Sequence, residues 1–370
     1  MSDFDSEELL RKLTEEMTAI SDLTKENAEK MAKSLIDGAL NGGLSDISDY
    51  IDTVDIKQND NSDGSRTKPK RTKDKGVIMP ETAEKLDKIL SKVKKVLPPK
   101  KSVRLNLSRG ETTVFDSKMG GVPYFPKDME YPRVLEDKFE EKPLHFIAQL
   151  NFGTLPKIEG FPTEGILQFF AGCDGDYSYG MDFDNGCNQN GFRVIYHEKV
   201  IGDVSKLYNK SDMPEFDSED DYSPFVGEFL LTAQETIKMP VNEVDFRFWE
   251  TFLAAYNELF GTKIDKIYGE GGLSEVDEPL YNAVFDKCNV GETRMGGYPF
   301  FTQYDPRKNN PELAKHTVLL FQSDSENGGD PNNWDDSVCW GDMGVANFFI
   351  TPEDLEKRDF SNVLFYWDCC

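Results

Sequence analysis

The chain has 370 residues, 38% of them hydrophobic, with 42 basic and 68 acidic side chains and a formal charge of −26. That length holds more than one core, while the modest apolar fraction leaves part of the chain outside any core. A body this acidic repels nucleic acid phosphate, and the absence of any run of 18 apolar residues excludes a membrane-spanning helix.

The charge falls in three blocks: net −9 over 1–56, +9 over 57–104 and −26 over 105–370. The first block predicts helices. In SEELLRKLTEEMTAI, Leu9, Leu10, Leu13, Met17 and Ile20 share a face behind an imperfect capping box at Ser6. A second amphipathic stretch starts at Thr24 and stops at the Asn-Gly-Gly of 41–43. Residues 1–56 are thus expected to form a helical extension that docks on the body or on another copy, and its acidic start is unlike a secretory signal. Residues 57–79 carry no apolar periodicity and read as a basic disordered linker. Its KPKRTK resembles an import or polyanion-binding patch, but such runs are common in linkers.

From 80 onward one body is expected. PETAEKLDKILSKVKKVL opens with Pro80 at a helix start and lines up Leu86, Leu90, Val93 and Leu97 before Pro98-Pro99 ends it. Short β-rich runs follow: HFIAQLNF, GILQFFAG, FRVIYHEKV, HTVLLFQSD, GVANFFIT and NVLFYWDC. A helix is predicted over 245–261, where Phe246, Trp249, Phe252, Leu253, Tyr256, Leu259 and Phe260 make a broad apolar face. The pattern predicts an α+β fold with a mostly antiparallel sheet and packed helices.

One motif is written twice. KMGGVPYF at 118–125 returns as RMGGYPFF at 294–301, seven of eight positions being identical or similar. Each copy is followed by an apolar strand carrying a glutamine, Gln149 and Gln322, separated by 173 residues against 176 for the glycines. Two signals at nearly one spacing predict an internal duplication with halves at about 105–235 and 275–370. Gly120-Gly121 and Gly296-Gly297 supply positive φ or close approach, and Pro123 and Pro299 suit the first residue of a strand. Each copy therefore reads as a tight structural turn that feeds a strand.

The stretch MGGYPFFTQYDPR, HTVLLFQSDSENG and VCWGDMGVANFFITPEDLEKRDFSNVLFYWDC resembles the YwqG-like family, over roughly residues 105–370. That resemblance implies a duplicated α+β domain of undefined function and transfers no catalytic residue. It also implies an association with toxin–immunity systems, so that one version of the function is an antitoxin-like inhibitor of a basic toxin.

Candidate binding residues are Trp340 and Asp342 of CWGDMGVANFF, an aromatic and an acid beside turn glycines, together with Gln149 and Gln322. Each has a structural alternative. Asp342 can cap a turn while Trp340 packs, and a buried glutamine must find partners wherever it lies. The acidic loops CDGDYSYGMDFDNGCNQNG (173–191) and ENGGDPNNWDDS (326–337) lack calcium-loop spacing and read as solvated. No Gly-x-Ser-x-Gly, phosphate-binding loop or His-Glu-x-x-His occurs, and no cysteine pair has zinc spacing. No catalytic residue, metal or cofactor is expected. Six cysteines without framework spacing suit reduced thiols and a cytoplasmic location. The leading expectation is a module that binds a protein partner, one of basic character, without nucleic acid or membrane. A small-molecule or metal-binding module, with enzymatic activity left open, working in a cleft between the repeats, is the alternative.

Overall fold

The computed structural model describes residues 78–369, apart from 136–141, 174–177, 217–221 and 234, together with residues 11, 14, 25, 32 and 33. Nearly all of the expected helical extension and of the linker lies outside the described residues.

Helix α1 spans Pro80–Val96, with Pro80 in the first turn as the sequence predicts. It leads into strand β1 (Lys100–Arg109). Four strands follow, β2 (Lys118–Gly120), β3 (His145–Asn151), β4 (Ile166–Ala171) and β5 (Phe192–His197). Next come β6 (Glu228–Ala233) and β7 (Ile237–Met239), then helices α2 (Phe248–Phe260), α3 (Leu273–Val276) and α4 (Glu278–Cys288). The chain closes with β8 (Arg294–Gly296), β9 (Val318–Asp324), β10 (Val345–Ile350), helix α5 (Pro352–Lys357) and β11 (Leu364–Asp368).

All eleven strands belong to one antiparallel sheet, ordered β11-β10-β9-β8-β1-β6-β2-β3-β4-β5, with β7 also on β1. The α+β, mostly antiparallel expectation holds among the described residues. The sheet curls until its ends face each other. The Phe169 ring of β4 lies 5.0 Å from Phe321 of β9 and 4.7 Å from Phe348 of β10, and Phe192 of β5 meets Phe365 of β11 at 5.2 Å. This explains why β4 and β10 are buried at all six positions and read as apolar runs, broken only by Gln168 and Asn347, rather than as alternating ones. A second core lies between α1, α2 and α4, where Leu86, Ile89 and Val93 meet Phe248, Phe252 and Val284.

Two four-stranded meanders flank the β1–β6 pair, and their registers correspond. Lys118 pairs with Gln149 and Gln149 with Gln168; Arg294 pairs with Gln322 and Gln322 with Asn347. Ile147 on β3 and Leu320 on β9, two residues before each glutamine, are both skipped by the ladder at a bulge.

The predicted turn needs a correction. The strand runs into the glycines, ending at Gly120 and Gly296, and no strand begins at Pro123 or Pro299. Gly120, Gly121, Gly296 and Gly297 do lie at positive φ, from 67° to 78°. A Cβ at Gly120 would stand 2.1 Å from the Gly227 carbonyl oxygen, so both conformation and space demand glycine. The aromatics after each proline, Tyr124 and Phe125 in one copy and Phe300 and Phe301 in the other, are all buried. The helix predicted from 245 begins at Phe248, because Asp245 and Arg247 are held in ion pairs described below.

Candidate functional site

Gln149 and Gln322 replace a missing strand. Gln149 Oε1 accepts from the Tyr124 N–H at 2.9 Å, and Gln168 Nε2 from the next strand donates to the Tyr124 carbonyl at 2.5 Å. In the second meander, Gln322 Oε1 accepts from the Phe300 N–H at 2.7 Å and Asn347 Nδ2 donates to the Phe300 carbonyl at 2.9 Å. Two amides thus clamp the residue after each Gly-Gly-x-Pro as a neighbouring backbone would. Both glutamines are fully buried, and their amide nitrogens donate to carbonyls within their own meander, Val114 and Asp116 for Gln149 and Glu292 for Gln322. The structure does not bring them together into one cleft.

The clamps end differently. Gln168 Oε1 accepts from His197 Nε2 at 2.8 Å, which fixes the Nε2–H tautomer, and burial pulls the His197 pKa down to about 4. At the matching register Asp368 replaces the histidine. Its carboxylate accepts from the Thr302 and Gln303 N–H groups at 3.0 and 2.9 Å, yet burial outweighs these bonds and pushes its pKa up to about 7. Asn347 Oδ1 is left buried without a hydrogen-bond partner.

Trp340 and Asp342 part company. Trp340 is fully buried, its indole N–H on Ser323 Oγ at 2.9 Å and its ring against the Tyr179 edge at 4.8 Å. The chain turns from Trp340 to Gly344 through a 2.7 Å backbone bond, and Asp342 is exposed on that turn. The pair does not line one cavity.

Other groupings that suggest chemistry resolve into structure. Cys187 Sγ lies 3.5 Å from His316 Nε2, the reach of a nucleophile and its base. The same nitrogen lies 3.1 Å from the Asn362 carbonyl, which only an N–H can satisfy, so it cannot also take the thiol proton. Burial raises the Cys187 pKa to about 11. Sequence reading missed a double Asp-x-Arg signal. Asp245–Arg247 and Asp305–Arg307 each close on themselves through two bonds, and Arg307 Nη2 joins the pairs 3.6 Å from Asp245. Burial works to raise the Asp245 pKa, but Arg247 and Arg307 outweigh it and hold the carboxyl below the usual range. Arg307 also covers the Phe349 ring at 4.4 Å, so this network pins the start of α2 to the sheet. Among the described residues no group of three or more His, Cys, Asp or Glu is placed to hold a metal ion, and no helix is long and apolar enough to cross a membrane.

Among the described residues, a cleft of about 300 Å³ beside the first Gly-Gly turn has room for a ligand. Gly120 and Gly121 form its floor, and Phe225, Val226 and Gly227 form one wall. His145, at the start of β3, lines the cleft with its ring 3.8 Å from that of Phe216. Val226 is 61% exposed at this wall, a large apolar side chain offered to solvent. The volume is at the lower end of small-ligand sites. Nothing in the spacing of Gly120, His145, Phe216 and Val226 marked the cleft in the sequence, because four separate segments assemble it.

No curated protein matches the chain. A family model described as a domain of unknown function, DUF1963, matches residues 117–369, from β2 to the residue after β11. Since that match spans well over half of its length, the chain belongs to the DUF1963 family.

Proposed function

We propose that the protein is a binding module whose cleft beside the first Gly-Gly turn receives an apolar side chain from a basic protein partner. The observation that carries this reading is the cleft itself, with Val226 exposed on its wall and the His145–Phe216 stack facing it. The charge of −26 supports a basic partner, because it speeds encounter with cations and repels other acidic chains. The YwqG-like resemblance gives the finer version: a cytoplasmic, antitoxin-like inhibitor of a basic protein. The matching registers and the two amide clamps support an internal duplication, in which the halves keep one scaffold and the first half carries the cleft. In this reading residues 1–56 extend the module, 57–79 link it, and 80–370 form the folded body.

The alternative occupant is a small molecule, favoured by the cleft's volume and its mixed apolar and polar lining. Site-specific crosslinking tests the choice. A photoreactive residue at Val226 should capture a basic protein that one at Val276, exposed on the helical layer, does not. The purified partner should then bind Val226→Asp at least tenfold more weakly. Equal capture from both positions, or thermal stabilisation by a metabolite panel without any protein partner, would defeat the reading.

A further inference from the structure

The registers set the two Gly-Gly turns side by side. Gly120 pairs with Glu228 on β6, and Gly296 pairs with Ser102 on β1. Two residues back along each partner, Val226 at the first turn stands where Lys100 stands at the second. The close approaches agree. A Cβ at Gly120 would meet the Gly227 carbonyl oxygen at 2.1 Å, and one at Gly296 would meet that of Lys101 at 2.7 Å. Counted from Gln149 and Gln322, Leu144 before β3 likewise matches Thr317 before β9. At the second turn Lys100 reaches across from β1, past β8, to the head of β9. Its ammonium lies 4.9 Å from the centre of the Tyr298 ring and donates to the Thr317 carbonyl at 2.7 Å. At the first turn the matching side chain is the short Val226, exposed, and the space between it, the glycines and His145 is the cleft. The cleft is the counterpart of the space that Lys100 fills.

We infer that the cleft takes a lysine side chain of the partner protein, laid across the first turn as Lys100 is laid across the second. The inference rests on the reading of the cleft given above and names the side chain that enters it. The lysine stem supplies the apolar part, against Gly120, Phe225 and Val226, while the ammonium ends at the head of β3 near the Phe216 ring. A compact ammonium suits this end better than a planar guanidinium, which needs paired acceptors in its own plane. Charge complementarity favours the same occupant, since the chain carries 26 more acids than bases. Arg109 stays clear of the ammonium. Its guanidinium lies on the β1 side of β6, on the Val226 carbonyl and the Phe229 ring, while the strand order runs β1-β6-β2-β3. Two strand spacings, about 10 Å, therefore separate it from the head of β3.

Panning the full chain against a random twelve-residue peptide library tests the inference. The enriched peptides should share a lysine. Replacing that lysine by norleucine, which keeps the stem and removes the charge, should weaken binding to the parent protein at least tenfold. Val226→Lys should fill the cleft with its own side chain and weaken every enriched peptide at least tenfold. Position 226 is exposed, so circular dichroism and melting temperature should not fall below those of the parent. Peptides anchored by an aromatic or aliphatic residue, or equally tight with norleucine, yet blocked by Val226→Lys, would overturn the lysine and leave the cleft reading standing. Binding of n-butylamine as tight as that of the peptides would put a small amine in place of a protein partner and overturn both. Peptides indifferent to Val226→Lys, or no enrichment at all, would also defeat both.

Discussion

At the scale of single residues, the clamp glutamines do what a strand edge would otherwise do. Gln149→Leu keeps the volume but strips partners from the Tyr124 N–H and from the carbonyls of Val114 and Asp116. A buried polar group left unsatisfied costs about 1–3 kcal/mol. Gln149→Leu should therefore lose about 3–5 kcal/mol in urea unfolding, and Gln322→Leu somewhat less, because fewer bonds converge on it. A loss under about 1 kcal/mol at both sites would show that the clamps do not hold the turns. Asp368 makes a prediction in pH. Its pKa is about 7 when folded, against about 3.9 in an unfolded chain, so the native state binds the extra proton between those values. Its contribution therefore favours folding at low pH and is lost as pH rises from about 4 to 7. His197 runs the other way. Its folded pKa of about 4 lies below the usual 6.5, so its contribution is present above that value and is lost as pH falls. Comparing wild type with Asp368→Asn isolates the first effect. Asn keeps the bond from Thr302, loses the one from Gln303 and cannot ionise. The stability of wild type relative to the variant should fall between pH 4.5 and 7.5, by about 2–4 kcal/mol. A constant difference would contradict the buried, proton-binding carboxyl.

At the scale of elements, legibility followed burial. β3, β4, β5, β9, β10 and β11 were readable because each packs an apolar, aromatic-rich run into the closed core. α1 was readable because Pro80 and the proline pair mark its ends and Leu86, Leu90 and Val93 its face. β2 and β8 hid behind their chemistry. A three-residue strand that begins with a buried Lys118 or Arg294 has no apolar pattern to read. Those cations are accepted because carbonyls surround them. Lys118 donates to Thr112 Oγ1 and the Val122 carbonyl, and Arg294 to the carbonyls of Val290 and Glu292. β1 was concealed by its seven polar residues, although Val103, Leu105 and Leu107 alternate as a strand should. α4 escaped notice because its eleven residues, EPLYNAVFDKC, mix polar and apolar side chains without a clear stripe. Of the candidate site, the glutamines were legible as buried groups needing partners, but which atoms they serve was not. That follows from register and from the ladder's skip at Ile147 and Leu320, which a linear pattern does not carry.

At the scale of the whole molecule, two large cores and three smaller clusters lie among the described residues, and the N-terminal boundary runs between contributions of very different size. The curled sheet makes its own core through Phe169, Phe321, Phe348 and Phe365, to which α5 adds Leu355 but α1, α2 and α4 add nothing. The second core depends on α1, which buries Leu86, Ile89, Leu90 and Val93, with Leu97 just after it. Each fully buried aliphatic side chain is worth about 1.5–3 kcal/mol. Five of them therefore approach the whole net stability of a typical domain, about 5–15 kcal/mol. The family match begins only at residue 117, yet α1 and β1 lie before it, and β1 joins β8 to β6 across the middle of the sheet. Family boundary and folding boundary should therefore differ. A chain starting at residue 78 should unfold in one cooperative transition close to that of the full protein. A chain starting at residue 99 should lose the second core, giving a broad or two-step transition with exposed apolar surface around Phe248 and Phe252. A third chain, starting at 117 as the family match does, should fail to fold, because without β1 both β6 and β8 lose a neighbour. Scanning calorimetry and dye binding on the three chains decide this. Cooperative folding of the chain from residue 117 would refute the placement of β1 at the centre of the sheet.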